Sequence, residues 1–404
     1  MGGGHAFTVC SRSIQALFSA PGRKMISIND DQRGICMTRG KIRHLFPGNN
    51  TSIGFFSLYQ YMPPPLENLK RYFIIKGGPG VGKSTFMKAI AETILNMGHD
   101  VELHHCSSDN ASLDGVVIPF LGVAFVDGTA PHSIDPKIPG AVEEIINLGD
   151  FWNAAGLQKD RVQIAAAISE NGRLFRRAYS HLAVAKIFHD EYESAFSEPG
   201  VMDWKAVDRE TLEILGDIFS SSSHSGLQSV QRHLFATAIT PDGPQSHLDS
   251  IVGGIRKRYV ISGESGTGKT TILRQVANRA ALLGLATEVF HCALEPAKID
   301  HVVIPDLGTA VINGSIPHTY TPEKDDIVIS TERFLNRHKL AAFGAEAADA
   351  WQRYEDAFAA AITFIARAKQ NHDLLENYYI PNMDFKAISD LREQIMRRIL
   401  SLNQ

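Results

Sequence analysis

Cysteine is scarce in this chain: four residues, Cys10, Cys36, Cys106 and Cys292, are too few and too scattered for a disulfide framework. That fits a reducing compartment. C-x-x-C pairs are missing too. His104-His105-Cys106 with His132 is a conceivable zinc set, but the matching stretch Phe290-His291-Cys292 is one ligand short. No apolar run approaches the roughly 18 residues that a membrane span needs, and the N-terminus lacks the apolar core of a secretory signal. Ala6 stands where N-myristoylation requires Ser or Thr. The net charge of -4 leaves no basic excess to indicate a nucleic acid or an acidic membrane as partner. These absences point to a cytoplasmic protein. At 404 residues and 44% hydrophobic content, the chain is long enough for roughly two to three domains with cores of their own.

What is present is a duplication. GGPGVGKST (77–85) recurs as GESGTGKTT (263–271), and Lys83 and Lys269 stand 186 positions apart. The same offset carries His105-Cys106 onto His291-Cys292, DGVVIP (114–119) onto DHVVIP (300–305), and DGTAPH (127–132) onto NGSIPH (313–318). With small gaps RHLF (43–46) recurs at 232–235, and MDWKA (202–206) recurs as MDFKA (383–387). Self-similarity at one long offset marks repeated structural units. The expected organisation is an extension over 1–36, disordered or ahead of a native start at Met37, then a first unit over 37–219. A Ser-rich linker over 220–226 leads to a second unit over 227–404.

Each unit reads as α/β. RYFII (71–75) is a short apolar strand ending at the glycine loop, Ser84 to Met97 is a helix closed by Gly98, and DVELHHC (100–106) and GVAFVDG (122–128) are further strands. That order predicts parallel strands joined by right-handed crossovers. Helical tails follow. Trp351, Tyr354, Phe358, Ala361, Ile365 and Ala368 form one apolar stripe, as do Leu174, Ala178, Leu182, Ala185 and Phe188, and both read as core. The predicted fold is two duplicated P-loop NTPase domains with parallel sheets, each followed by a helical tail.

Both loops satisfy G-x-x-x-x-G-K-[ST]. The pattern places Gly77, Gly78, Gly80, Val81, Gly82, Lys83, Ser84 and Thr85 around one set of phosphates. Gly263, Ser265, Gly266, Thr267, Gly268, Lys269, Thr270 and Thr271 surround another. Backbone N–H groups wrap the anion, the lysine balances β/γ charge, and the hydroxyl of Ser84 or Thr270 suits Mg²⁺. The cofactors expected are therefore ATP and Mg²⁺. Asp127, at the end of VAFVD, is the second Mg²⁺ anchor expected in the first unit, unless it only caps a turn. Its counterpart is the neutral Asn313. The units are thus expected to be unequal, with the first the better catalyst.

His132 and His318, five residues beyond that strand, are candidates to sense a γ-phosphate, orient water or accept a proton, or else to stabilise their loop. Asp114 and Asp300, read as lying in the loop before VVIP, are candidates for a base or a Mg²⁺-water contact, or simply turn formers. Asp109 and Glu295 are weaker acidic candidates. Arg71 and Arg258 are poorly placed as arginine fingers; Arg173, Arg176 and Arg177 are better placed, or solvated.

Taken together, KGGPGVGKST, HHCSSD, SLDGVVIP and DGTAPHSIDPKIPG resemble an uncharacterised family of bacterial tandem P-loop proteins, labelled ATPase or nucleotide-kinase-like. The resemblance runs from about Met37 to the C-terminus. It implies the P-loop fold, ATP binding, nucleotide contacts at Lys83, Ser84 and Asp127, and a site of unknown purpose at His132. It supplies no second substrate. Three activities fit these residues: an ATPase built as an intramolecular pseudo-dimer, a small-molecule kinase acting on a nucleoside or nucleotide, and a nucleotide-sensing interaction module.

Overall fold

The computed structural model describes residues 38–130, 133–220, 222, 224–226, 228–318 and 320–402. The expected extension over 1–36 and the candidate His132 lie outside the described residues. The first repeat opens with β1 (Ile42–Leu45), a hairpin of β2 (Gly48–Thr51) and β3 (Gly54–Ser57), then β4 (Arg71–Lys76) and α1 (Lys83–Asn96). It continues through β5 (Val101–Cys106), β6 (Asp109–Ile118), β7 (Val123–Asp127) and β8 (Glu143–Asn147). Its helices are α2 (Ala154–Lys159), α3 (Arg161–Ser197) and α4 (Trp204–Phe219).

The second repeat has β9 (Gln231–Leu234), β10 (Thr237–Thr240), β11 (Gly243–Ser246), α5 (Leu248–Val252), β12 (Lys257–Ser262) and α6 (Lys269–Leu282). β13 (Thr287–His291), β14 (Ile299–Ile304), β15 (Thr309–Asn313) and β16 (Ile327–Ser330) follow. It ends with α7 (Arg337–Leu340), α8 (Gly344–Tyr379) and α9 (Phe385–Ser401).

The two six-stranded sheets have equivalent orders, β1-β5-β6-β7-β4-β8 and β9-β13-β14-β15-β12-β16. They are mixed, which corrects the expectation of parallel sheets. β6 runs antiparallel to both β5 and β7, as β14 does to β13 and β15, while the other pairs are parallel. The physical reason is the short connection: two residues separate β5 from β6, enough for a reversal and too few for a crossover. Asp114 and Asp300 therefore lie inside strands β6 and β14, both buried, and not in a preceding loop.

The helical tails pack in exchange. The core around Phe73, Ile75, Phe86 and Phe125 of the first sheet is completed by Ile388, Ile395, Met396 and Ile399 of α9. The core around Tyr259, Ile261, Ile272 and Val311 of the second sheet is completed by Val207, Ile214, Ile218 and Phe219 of α4. Each such aliphatic side chain, once buried, contributes about 2 kcal/mol. The MDWKA/MDFKA repeat is the joint that makes this possible. Asp203 and Asp384 cap α4 and α9, accepting from Ala206 N and Ala387 N at 3.0 Å. Next to them Asp203 N donates to Phe334 O and Asp384 N to Phe151 O, each at 2.9 Å.

Between the sheets α3 and α8 lie side by side. Ala178 and Leu182 of α3 meet Ala361 and Ile365 of α8 in one buried cluster. Tyr192, near the end of α3, packs against Trp351 near the start of α8 with ring centroids 4.9 Å apart, so the helices are antiparallel. The halves also meet through RHLF. Phe46 N donates to Phe235 O and Phe235 N to Phe46 O, both at 3.0 Å. Arg43 lies 3.0 Å from Glu102 and 2.6 Å from Glu288, while Arg232 lies 2.6 Å from Glu102 and 3.4 Å from Glu288. Among the described residues no helix is long and apolar enough to cross a membrane.

Candidate functional site

Each glycine loop joins a buried strand, β4 or β12, to the first turn of a helix, α1 or α6. Gly82 and Gly268 cap those helices with φ of 91° and 94°, a left-handed conformation that strains any side chain. The lysine that follows each curls back onto its own loop. Lys83 Nζ donates to Gly78 O at 2.7 Å and Gly77 O at 3.3 Å. Lys269 Nζ donates to Gly263 O at 2.6 Å and Glu264 O at 2.7 Å. Val81 and Thr267 point inward, Val81 into the core and Thr267 onto Thr331 Oγ1 at 2.6 Å. Thr85 and Thr271 are exposed, and Ser265 is half-buried.

The two hydroxyls expected at Mg²⁺ sit at equivalent points beside the third sheet strand. Ser84 Oγ accepts from Leu113 N at 3.0 Å, and Thr270 Oγ1 donates to Ile299 O at 3.4 Å. Asp127 lies at the end of β7, next to β4, with Oδ2 at 3.5 Å from Lys83 Nζ. Its Oδ1 accepts from Thr129 N at 2.9 Å and from the Thr129 hydroxyl, so the turn-capping role coexists with the position beside the loop lysine. The Asp127 carboxylate and the Ser84 hydroxyl are oxygen donors of the hard type that suits Mg²⁺. Asn313 repeats the turn, accepting from Ser315 N at 3.1 Å, but brings no anionic oxygen.

Asp300 and His318 come together in the second half. His318 Nε2 lies 3.2 Å from Asp300 Oδ2, and its Nδ1 bonds the Thr237 hydroxyl at 3.0 Å. Burial opposes the Asp300 charge, but His318, His301 and Asn313 outweigh it and hold the carboxyl down at about 2. Lys269 is only 9% exposed, and burial lowers its pKa to about 8 against the pull of Asp300, Glu193 and Glu264. In the first half Asp114 Oδ2 accepts from Tyr59 OH at 2.5 Å. His104 is buried beside Glu102, and His105 Nε2 meets His44 Nδ1 at 2.7 Å, so these groups are turned to other partners. Burial also pushes the Cys106 thiol well above its ordinary range.

The opposite half covers each loop. A Cβ on Gly78 would come within 2.6 Å of the Tyr379 ring, and one on Gly80 within 3.1 Å of Glu376 Cβ. A Cβ on Gly266 would lie 3.2 Å from Glu193 O and Phe196 Cβ, and one on Gly268 3.2 Å from Trp204. The glycines thus serve close helix approach as well as loop geometry. The covering segments carry a repeat that the 186-residue offset hides: K-x-x-H-D-x-x-E at 186–193 and again at 369–376, 183 positions apart. Lys186 reaches Glu295 at 3.3 Å, and Lys369 reaches Asp109 at 3.5 Å. His189 and His372 each stand 3.7 Å from the following glutamate, Glu193 or Glu376. Glu193 Oε1 accepts from the Ser265 hydroxyl at 2.5 Å, and its Oε2 accepts from Lys298 at 2.6 Å. A gap-tolerant comparison of the tails would have exposed this repeat.

A cavity of about 1380 Å³ opens at the second loop, lined at one end by Lys269, Thr270, Asp300 and His318 and at the other by Trp351, Tyr354 and Phe358. The apolar stripe of α8 therefore divides: Ala361, Ile365 and Ala368 are core, as expected, whereas its aromatic end lines this space. Of the arginine candidates, Arg173 pairs with Glu170 at 2.6 Å on its own helix, Arg177 stacks over Phe364, and Arg176 is exposed. Arg71 donates to Gly140 O and Ala141 O, and Arg258 pairs with Asp326 at 2.6 Å.

Searches of family models, curated proteins and solved structures returned no match for this chain.

Proposed function

We propose that the chain is a tandem P-loop NTPase that binds ATP at both glycine loops and hydrolyses it in a Mg²⁺-dependent reaction, with the first half the better catalyst. The observation that carries this reading is the pairing of each loop lysine with its own loop carbonyls at a strand-to-helix junction, together with Asp127 beside Lys83. An ammonium held on carbonyls is poised to exchange them for phosphate oxygens, and the first turn of α1 or α6 aims its positive end at the same anion. Ser84 and Asp127 are the residues to hold Mg²⁺, whose charge would offset that developing on the phosphates. Asp114, buried in β6, is the candidate to order water at the first site, and His132 is a candidate from its place in the G-[TS]-x-P-H loop of the sequence. A cytoplasmic location goes with this reading, supported by the scattered cysteines.

A second reading, phosphoryl transfer to a small molecule, is favoured by the cavity. Its volume of about 1380 Å³ exceeds the roughly 300–1,000 Å³ of a single small-ligand pocket, and the Asp300–His318 pair faces into it. ATP turnover by the purified chain, alone and with nucleosides or nucleotides added, separates the two. ADP release without an acceptor supports the ATPase. Release that depends on an acceptor, with a phosphorylated product, supports the kinase. Binding without turnover in any mixture leaves a nucleotide sensor.

A further inference from the structure

The charges around the two loops match almost position for position. Lys83 corresponds to Lys269, Lys88 to Arg274, Asp114 to Asp300 and Asp109 to Glu295, and the opposite half supplies Glu376 or Glu193. Four positions at the loops break the pattern: Gly78 becomes Glu264 and Lys76 becomes Ser262, which make the second loop more negative, and two changes run the other way. Asp127 becomes Asn313, which removes a negative charge, and Ser112 becomes Lys298, which adds a positive one.

The structure puts the added charge at the loop. Lys298 lines the same cavity as Lys269 and Ser265. Its ammonium lies 2.6 Å from Glu193 Oε2 and 3.0 Å from Glu295 Oε2, and the other oxygen of Glu193 holds the Ser265 hydroxyl at 2.5 Å. One carboxylate from the first half's long helix thus ties Lys298 to the third residue of the second loop. At the first loop Asp127 sits 3.5 Å from Lys83, so an incoming phosphate meets a carboxylate that competes for the same ammonium. At the second loop Lys269 meets carbonyls, and a second ammonium waits on a carboxylate that phosphate oxygens can replace.

We propose that the second loop holds a nucleoside triphosphate largely without a divalent cation, with Lys298, positioned in trans by Glu193, supplying the charge that Mg²⁺ supplies at the first. This rests on the reading of both loops as triphosphate sites.

Calorimetric titration with ATP, in excess Mg²⁺ and in EDTA, tests it on the full chain. Lys83→Ala isolates the second loop and Lys269→Ala the first. Removing Mg²⁺ is expected to change the second loop's Kd by less than about threefold and to weaken the first by about tenfold or more, the scale of a lost charge-assisted contact. In the Lys83→Ala background, Lys298→Ser is expected to weaken binding in EDTA by about tenfold while Mg²⁺ restores it. Lys298→Arg is expected to keep cation-independent binding, so a fold defect at this position is told apart from a charge effect. A second loop that loses its ATP in EDTA with Lys298 intact overturns the inference and leaves nucleotide binding standing. ATP bound by neither loop in Mg²⁺ overturns both.

Discussion

Lys83 Nζ lies 3.5 Å from Asp127 Oδ2 as well as on its loop carbonyls, whereas Lys269 Nζ, its equivalent, bonds the carbonyls of Gly263 and Glu264 and no carboxylate among the described residues. The glycine frames and lysine contacts of the two loops are otherwise alike, so Asp127 is the difference expected to bear most directly on Mg²⁺. Asp127→Asn gives the first loop the residue of the second. Mg²⁺-dependent ATP turnover should fall by about tenfold or more, because a hard cation loses an anionic oxygen. Lys83→Ala should abolish turnover and Lys269→Ala only reduce it. Steady-state ADP release measures all three, and equal loss in the two lysine variants would remove the asymmetry.

Glu102 and Glu288 face Arg43 and Arg232 across the junction of the halves, and Glu102 is held well below the usual carboxylate range. Burial opposes its charge; Arg232 and His104 outweigh it. Arg232→Met removes the nearest cation from that buried carboxylate, leaving Arg43 at 3.0 Å, and should destabilise the chain by about 3 kcal/mol, read as a lower urea midpoint. Because the folded pKa is depressed, the stabilisation is complete above the unfolded value of about 4.5 and fades as pH falls below it. The variant should therefore differ most from the parent at neutral pH and converge with it in acid.

The exchange of tails ties the C-terminus to the first half. Ile399 of α9 is fully buried against the first sheet's core. Ile399→Ala should cost about 2–5 kcal/mol. Hydrogen exchange should accelerate first in β4 and α1, with β12 and α6 following only on global unfolding. Faster exchange in β12 and α6 first would contradict the exchanged packing.

The duplication, both loops and the strands flanking them were legible because glycine patterns and apolar runs are local signals. The tail exchange was not. The stripe Leu174, Ala178, Leu182, Ala185 and Phe188, buried at its first four positions and half-buried at Phe188, specifies a packed face but not which half buries it, and either copy of a repeated sheet offers a similar surface. Asp114 was misplaced for a related reason. DNASLDG reads as polar, yet it forms the start of β6, exposed only at Asn110 and Ala111 and buried from Leu113 on. Tyr59, the hydrogen-bond partner of Asp114, is 55 residues away, and no local pattern announces it. The K-x-x-H-D-x-x-E repeat was present but displaced by three positions from the offset that carries the glycine loops onto each other.

Lys269 provides a pH test of the second loop. Burial holds its pKa at about 8, below the ordinary 10.5, and a bound triphosphate favours the charged form and raises that value. Near pH 7 the lysine of the empty loop is mostly charged, so ATP binds with little proton uptake. Near pH 9 it is mostly neutral, and binding must draw a proton from solvent. Affinity should therefore fall by about tenfold between those pH values. In the Lys83→Ala chain, calorimetry in two buffers of different ionisation enthalpy should show uptake approaching one proton at pH 9. The empty chain has the opposite dependence. The unfolded lysine binds its proton more tightly than the folded one, so this group makes stability rise as pH climbs from about 8 to about 10.5. Affinity that stays level across this range, with no proton uptake, would mean that Lys269 does not meet the phosphates as a cation.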